Sequence, residues 1–563
     1  MQKINFSKII AISLAVLTFI CTFFFFKTLN YNLDLSDESY YLYLSVFPKD
    51  IYGSLSSFAH FLNLIFYDLN YNIFAYRIFG VSTLILTSFL LFFTLRILFE
   101  LDKINITFED KLSMCCFLIF GSLFYYSSWL LTPSYNWALL ILMKIFLISK
   151  VFQYKTMNEN NYFNKLSFLL DSSIISFFIL IKPTTGFIIL LINFIMSIYL
   201  KKKLHVIIFN NLLVTLCTLF FLILIISFFY ESLEMYFTQF STAMKIESSL
   251  TEKRGVISLI FSPLQSIFDS IHILSQKYLH ETISILIGLI LLIFFKKYSL
   301  YIITGIILIN INSRLCLNFS LILILFYYLL SCRKLFNKTT FYVFLLISLI
   351  FAYSFGSANN LFVQSMFASF LYFVIIYLLL VYLDTSVKRF QSMLVIFALC
   401  FHVILSLKNA FHTPYGYETK IKEFVKTQVS IRNNESLNIS KEQSDFMNFT
   451  RKAFKKNNWK QNFYLIDLSG KLPGLLYLLN ANAVGNPWFN GFYVGSDNYT
   501  KNILSLYDIE LIKSSWLVTT ESGANNISKE VIESKLGALD QNYIIFAKYK
   551  YKNETIGFWK PKK

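Results

Sequence analysis

From Leu204 to Tyr230 the chain runs without a single Asp, Glu, Lys or Arg, His205 being its one mildly titratable side chain. A hydrocarbon layer roughly 30 Å thick takes about 20 residues of α-helix, and a backbone inside it must satisfy every N–H and C=O internally. Such a run therefore predicts a membrane-spanning helix, and similar runs recur through the first 407 residues. Hydrophobic residues make up 56% of the 563 and charged ones 15%, outside the balance of soluble domains. The short alternating segments of a membrane barrel are not seen, so the expected class is an all-α polytopic membrane protein.

Taken by length, the runs predict about 13 transmembrane helices, the first over 9–29 and the last over 390–407. The first follows Lys3 and Lys8 and lacks a small-x-small cleavage pattern, so it is expected to be retained. Counted from a cytoplasmic N-terminus, the predicted inner segments hold 18 Lys or Arg and the outer loops six, the bias that membrane topology requires. The net charge of +18 follows from the same helix-end cations, and no nucleic acid is expected as a partner. The seven cysteines lie in or beside apolar segments, with neither disulfide nor zinc spacing. The implied setting is a plasma membrane, the inner membrane of a bacterium, with membrane lipids as neighbours.

An odd number of spans places residues 408–563 in the periplasm or outside the cell. There "NFYLIDLSG", "SSWLVTT", "NYIIFAKYKY" and "TIGFWKP" read as strands, and "KLPGLLYLLN" and "SKEVIESKLGAL" as helices. The sum is a small C-terminal α/β extracytoplasmic domain, reached through a helical connector at about 418–460. The Gly-punctuated stretch around Pro487-Trp488 suggests tight turns and an aromatic surface facing an acceptor, or a structural cap.

Two predicted outer loops of the 1–407 domain are long, 30–73 and 231–281. The first opens with "NLDLSDESYYLYLSVFPKD", carboxylates set directly after an apolar run. A lipid-borne substrate keeps its chain in the bilayer and its phosphate at headgroup level, which is where a carboxylate at a helix exit sits. There Asp37 can take the proton of an attacking hydroxyl or amine while cations compensate a departing phosphate. Glu38 either orients the acceptor or points away, since neighbours on a helix diverge by about 100°. Arg77, Lys182, Arg254 and Arg314 are the candidate phosphate-binding cations, each with the alternative of reaching up to headgroups. Glu231, Glu234 and His60 are further acidic or polar candidates, with His60 read first as an amphipathic interface residue.

The segments "LSDESYYLYL", "YRIFGVSTLILTSFLLFFTLRILF", "WLLTPSYNWALLILM" and "FILIKPTTGFIILLINF" resemble the N-terminal part of the membrane glycosyltransferases of the C-type (GT-C) fold. That group includes the dolichyl-phosphate-mannose protein mannosyltransferases and the lipid A aminoarabinose transferases. The resemblance covers residues 1 to about 230. It implies an inverting transferase that takes a sugar from a polyprenyl-phosphate-linked donor to an extracytoplasmic acceptor, a lipid, glycan or protein. Asp37 then lies near the reacting centre with Glu38 beside it, and Arg77 occupies the basic position near the start of the second helix. The chain departs from the group where Ser134, Tyr135 and Asn136 follow Pro133 in place of an Asp, and where the first loop lacks its second acid. A hard divalent cation wants several oxygen ligands, so neither metal nor cofactor is expected. The alternatives are a transporter or flippase of lipid-linked saccharides and a non-catalytic envelope assembly factor.

Overall fold

A computed structural model describes the chain except residues 1–5, 50–55, 157–162, 200–203, 251–277, 314, 332–337, 357–363, 365, 383–388, 415–422, 492, 522, 524 and 563. Helix dominates up to His412. The first ten helices are α1 (Phe6–Thr28), α2 (Asp37–Val46), α3 (Phe58–Asp68), α4 (Ile73–Leu101), α5 (Phe108–Phe124), α6 (Tyr135–Thr156), α7 (Phe163–Ile181), α8 (Pro183–Tyr199), α9 (Leu204–Phe229) and α10 (Leu233–Glu247). They are followed by Leu279–Phe294, Ser299–Ile309, Cys316–Ser331, Lys338–Ser354, Ser369–Tyr382 and Arg389–His412.

Among the described residues five helices are long and apolar enough to cross a membrane, Phe6–Thr28, Ile73–Leu101, Tyr135–Lys155, Ile208–Phe229 and Arg389–His412. A sixth span exists if Leu279–Phe294 and Lys296–Ile309, which meet at 118°, form one broken crossing. Five or six long spans among the described residues thus establish a helical polytopic architecture, of which the expected 13 is a finer count. The other apolar helices have 10–17 residues within the described stretches, Phe168–Ile181, Pro183–Ile198, Cys316–Ser331, Tyr342–Ser354 and Ser369–Tyr382. The α7–α8 break has a local cause, because Pro183 lacks an N–H and opens α8 as its first residue.

Residues 424–561 form a small α/β unit. Its five-stranded sheet runs β4 (Asn482–Ala483), β3 (Tyr464–Asp467), β5 (Trp516–Thr520), β7 (Glu554–Pro561), β6 (Tyr543–Tyr551). β3 is parallel to both β4 and β5, whereas β7 is antiparallel to β5 and β6. The connector differs from the helical expectation. Phe424–Gln428 (β1) and Ser436–Ser440 (β2) make an antiparallel pair, and helix begins only at Lys441. The turn at "IRNNES" closes this hairpin, with Asn434 in the left-handed region that Asn tolerates.

The unit is docked on the first loop by backbone and side chain together. Tyr31 bridges to Asn438 of β2, with Asn32 N donating to Asn438 O at 2.8 Å and Asn438 N to Asn30 O at 3.0 Å. Glu435 caps α4 by accepting from Ile73 N and Phe74 N at 2.8 and 3.1 Å. Gln443 donates to Leu33 O at 2.7 Å. Asp467 accepts from Ser469 N and Leu472 N, shaping the turn that presents Pro473–Leu479 to α2. At that contact Gly474 N donates to Leu35 O at 2.9 Å, and a Cβ on Gly474 would lie 2.7 Å from the Leu35 side chain. The Tyr43 hydroxyl donates to Ala481 O and accepts from Ala483 N.

Tyr43→Phe strips both of those buried partners. The variant is expected to lose about 1–3 kcal/mol, the cost of buried groups left unpaired. Thermal unfolding in detergent checks this, with faster tryptic release of the C-terminal unit as the companion signal.

Candidate functional site

Asn72 caps α4, its side chain accepting from Ala75 N at 2.7 Å, and so sets the phase that turns Arg77 inward. Arg77 is fully buried. Its Nε donates to Glu38 Oε1 at 3.1 Å, and Nη2 lies 2.9 Å from the same oxygen. Nη1 donates to Leu29 O and Tyr31 O at 2.7 and 3.1 Å, and Nη2 to Asn32 O at 2.7 Å. These contacts engage the whole five-donor fork. Glu38 is satisfied in turn, accepting from Thr132 Oγ1 at 2.6 Å and, on Oε2, from Asp34 N at 3.2 Å. Gly80, one turn beyond Arg77, lets the Thr132-Pro133 turn come close, since a Cβ there would stand 2.9 Å from Pro133 Cγ.

Asp37 opens α2, where a carboxylate complements the helix dipole, and is partly exposed. Its surroundings differ from those of Glu38. It lies within electrostatic reach of Asp34, Tyr41 and Tyr135. Tyr41 packs edge-on against Phe58 and Tyr135 at 5.9 and 6.1 Å. Tyr40 meets Trp488 of the C-terminal unit at 5.5 Å, and Tyr493 of the same unit reaches the field of Tyr135. Asp37 thus stands at the seam of the first loop, the start of α6 and the C-terminal unit. An ionisable oxygen beside aromatic faces suits proton transfer or hydroxyl orientation on a ring-shaped ligand.

Asp34, one turn earlier, is buried and accepts from Ser36 Oγ and from Glu38 N. Burial, reinforced by the Asp37 charge, pushes its carboxyl up to about 7.

The remaining expected residues are dispersed. Lys182 sits at the α7–α8 break and donates to Tyr353 O at 2.7 Å. That break is tied to the first loop, because Ser57 N donates to Leu180 O and Ser56 Oγ to Ile181 O. Tyr353 in turn donates from its hydroxyl to Asn136, next to Tyr135. His60 is buried in α3 against Phe229 and Tyr230, at 5.4 and 4.9 Å. Burial and the Lys49 charge push it down to about 4, which leaves it neutral at pH 7. Glu231 and Glu234 are exposed at the start of the second loop. Arg254 and Arg314 lie outside the described residues. Among the described residues no three His, Cys, Asp or Glu gather as a metal site.

Sequence reasoning assigned no role to Thr132, Asp34 or Tyr135. A signal for two of them was present, since "TPSYN" is where the chain departs from the pattern it resembles, and a departure marks polar residues to be placed. Arg77 was expected at a phosphate. The structure instead engages it with Glu38 and three carbonyls.

Arg77→Gln leaves Glu38 buried without its cation, and a loss of about 3–5 kcal/mol is expected from such a break. Arg77→Gln combined with Glu38→Gln removes the orphaned charge and should recover part of the loss, read as accumulation and melting temperature in detergent. Asp34 ionises near 4 when unfolded and near 7 when folded, so the folded chain holds an extra proton between those values. Its contribution is fully present below pH 4 and is lost as pH rises through 7. Asp34→Asn should therefore gain on the parent from pH 5 to pH 8, by up to about 4 kcal/mol over the full window, in parallel melting series.

No family model, curated protein or solved structure matches this chain.

Proposed function

We propose that the protein is an inverting membrane glycosyltransferase of GT-C-like plan that moves a sugar from a polyprenyl-phosphate-linked donor to an acceptor on the side of its C-terminal unit. In this reading the short apolar helices complete the bundle and the N-terminus is cytoplasmic. The carrying observation is the placement of Asp37, a partly exposed carboxylate at the aromatic seam, beside a Glu38 that is engaged elsewhere. Asp37 accepts the proton of the incoming hydroxyl or amine as the acceptor oxygen or nitrogen bonds to the anomeric carbon and the carbon–phosphate oxygen bond breaks. The pair leaves as a lipid phosphate, and no covalent enzyme intermediate is needed. Lys182, tied through Tyr353 and Asn136 to the same seam, is the described cation suited to compensating that phosphate. Arg77 and Glu38 hold the loop, and Trp488 and Tyr493 supply an aromatic wall toward the acceptor.

Movement of lipid-linked saccharides is the second reading, and charged groups inside the bundle favour it. Lys144 is buried within α6, and Lys150 pairs with Asp171. These groups are satisfied internally, however. Lys144 donates to Leu84 O, Ser88 Oγ and Ser122 Oγ at 2.7–2.9 Å, and Asp171 also accepts from Ser149 at 2.7 Å. Transfer chemistry is therefore the preferred reading.

Asp37→Asn is expected to abolish sugar transfer from a polyprenyl-phosphate donor in membrane preparations, with protein level and melting temperature unchanged. Full activity in that variant overturns the assignment of the base. Labelled lipid crossing between leaflets of proteoliposomes, with no sugar transferred, would instead select the second reading.

A further inference from the structure

α4 joins two regions of different character. Its first turns hold Arg77, and its last residue is Leu101, 24 residues on and about 36 Å away at 1.5 Å per residue. At that far end a cavity of about 220 Å³ opens between the α4–α5 turn, α5 and the helices Ser369–Tyr382 and Arg389–His412. The volume is far beyond the space a single water needs.

Apolar wall is given by side chains such as Tyr377 and Leu380, and the polar lining includes Asp110, Ser113, Arg389 and Ser392. Ser113 is 1% and Ser392 9% exposed, and the hydroxyl of each has no hydrogen-bond partner among the described residues. Several buried polar atoms lack partners among the described residues, and these two hydroxyls belong to residues that line one cavity, which points to a ligand that accepts from both. Arg389 Nη2 lies 3.3 Å from Asp110 Oδ2, with the arginine side chain 29% exposed. That oxygen already accepts from Thr107 N and Thr107 Oγ1 at 2.8 and 2.7 Å, in the capping box of α5. The carboxylate is thus committed to the helix start as well as to the arginine.

An arginine fork with two hydroxyl donors is a phosphate-type donor set. The N-terminal ends of α5 and of Arg389–His412 add the positive ends of two helix dipoles at the same face. A neutral sugar would gain little from the cation, and a carboxylate is smaller than the space available.

We propose that this cavity binds a phosphate ester, with Arg389 and the Ser113 and Ser392 hydroxyls donating to its oxygens. Two sources carry that chemistry, the headgroup of a membrane phospholipid and a water-soluble phosphomonoester. The site is separate from Asp37 and stands independently of the transferase reading.

The test uses the purified full-length chain in a neutral detergent, titrated with dihexanoyl phosphatidylglycerol, glycerol 3-phosphate or dihexanoylglycerol, binding being followed by thermal shift and native mass spectrometry. Saturable binding of a phosphate-bearing probe is expected, with dihexanoylglycerol inactive. Binding of the phospholipid alone assigns the lipid source, and binding of glycerol 3-phosphate assigns the soluble one. Ser113→Ala combined with Ser392→Ala should weaken the binding about tenfold while the ligand-free melting temperature holds, because the two hydroxyls contribute nothing to the empty protein. Arg389→Gln is the second variant and carries the same expected loss of affinity. Absence of saturable binding to either phosphate probe, equal binding of dihexanoylglycerol, or parent-like affinity in both variants overturns the proposal.

Discussion

The pairing of Glu38 with Arg77 organises the end of the molecule where the membrane bundle meets its C-terminal unit. Removing both ions from water is expensive, and their attraction offsets that cost only where the remaining donors and acceptors are also met. Here Arg77 draws the carbonyls of Leu29, Tyr31 and Asn32 onto one guanidinium, and Thr132 and Asp34 N complete the carboxylate. The chain leaving α1 is thereby bent around a single side chain of α4. Its other edge then pairs with Asn438, so the same few residues form the platform on which the C-terminal unit sits. The long-range contacts of Gln443, Glu435, Tyr43 and Gly474 all fall on this platform or next to it.

Two acids adjacent in sequence consequently serve different ends. Glu38 turns inward and is neutralised by a cation, whereas Asp37, about 100° around the same helix, stays at the aromatic seam. Asp34 sits behind them in a buried position where a third negative charge is unfavourable, which is why its proton is held to near neutral pH. The separation of roles comes from the surroundings, because the side chains carry the same functional group.

Polar groups inside the bundle follow the rule of a medium without water. Lys144 finds a carbonyl and two serines and lies 4.0 Å from the centre of the Phe370 ring, and Lys150 finds Asp171 and Asn193. Each is met by partners on neighbouring helices, so these residues tie α4, α5, α6 and α7 together.

The helical class, the long first loop and the strands of the C-terminal unit were legible in the sequence, because they rest on local pattern: apolar run length, period-two alternation and glycine punctuation. "NFYLIDLSG" contains β3 and "TIGFWKP" all of β7 but its first residue for that reason. Five or six long spans among the described residues bear out the polytopic helical class, and the finer count turns on which of the shorter apolar helices also cross. The hairpin at 424–440 was read as helix because Lys and Glu interspersed among polar residues carry no strand signal until β1 and β2 find each other. Asp37 and Glu38 were visible as an acidic pair, yet their division of labour depends on Arg77, 39 residues further along, and on Thr132, 94 residues from Glu38. Sequence alone determined which chemical groups lie at the end of the first apolar segment. Only the tertiary structure decided which of them is buried against a cation and which is partly exposed, because burial and the approach of a distant cation are properties of the packed chain.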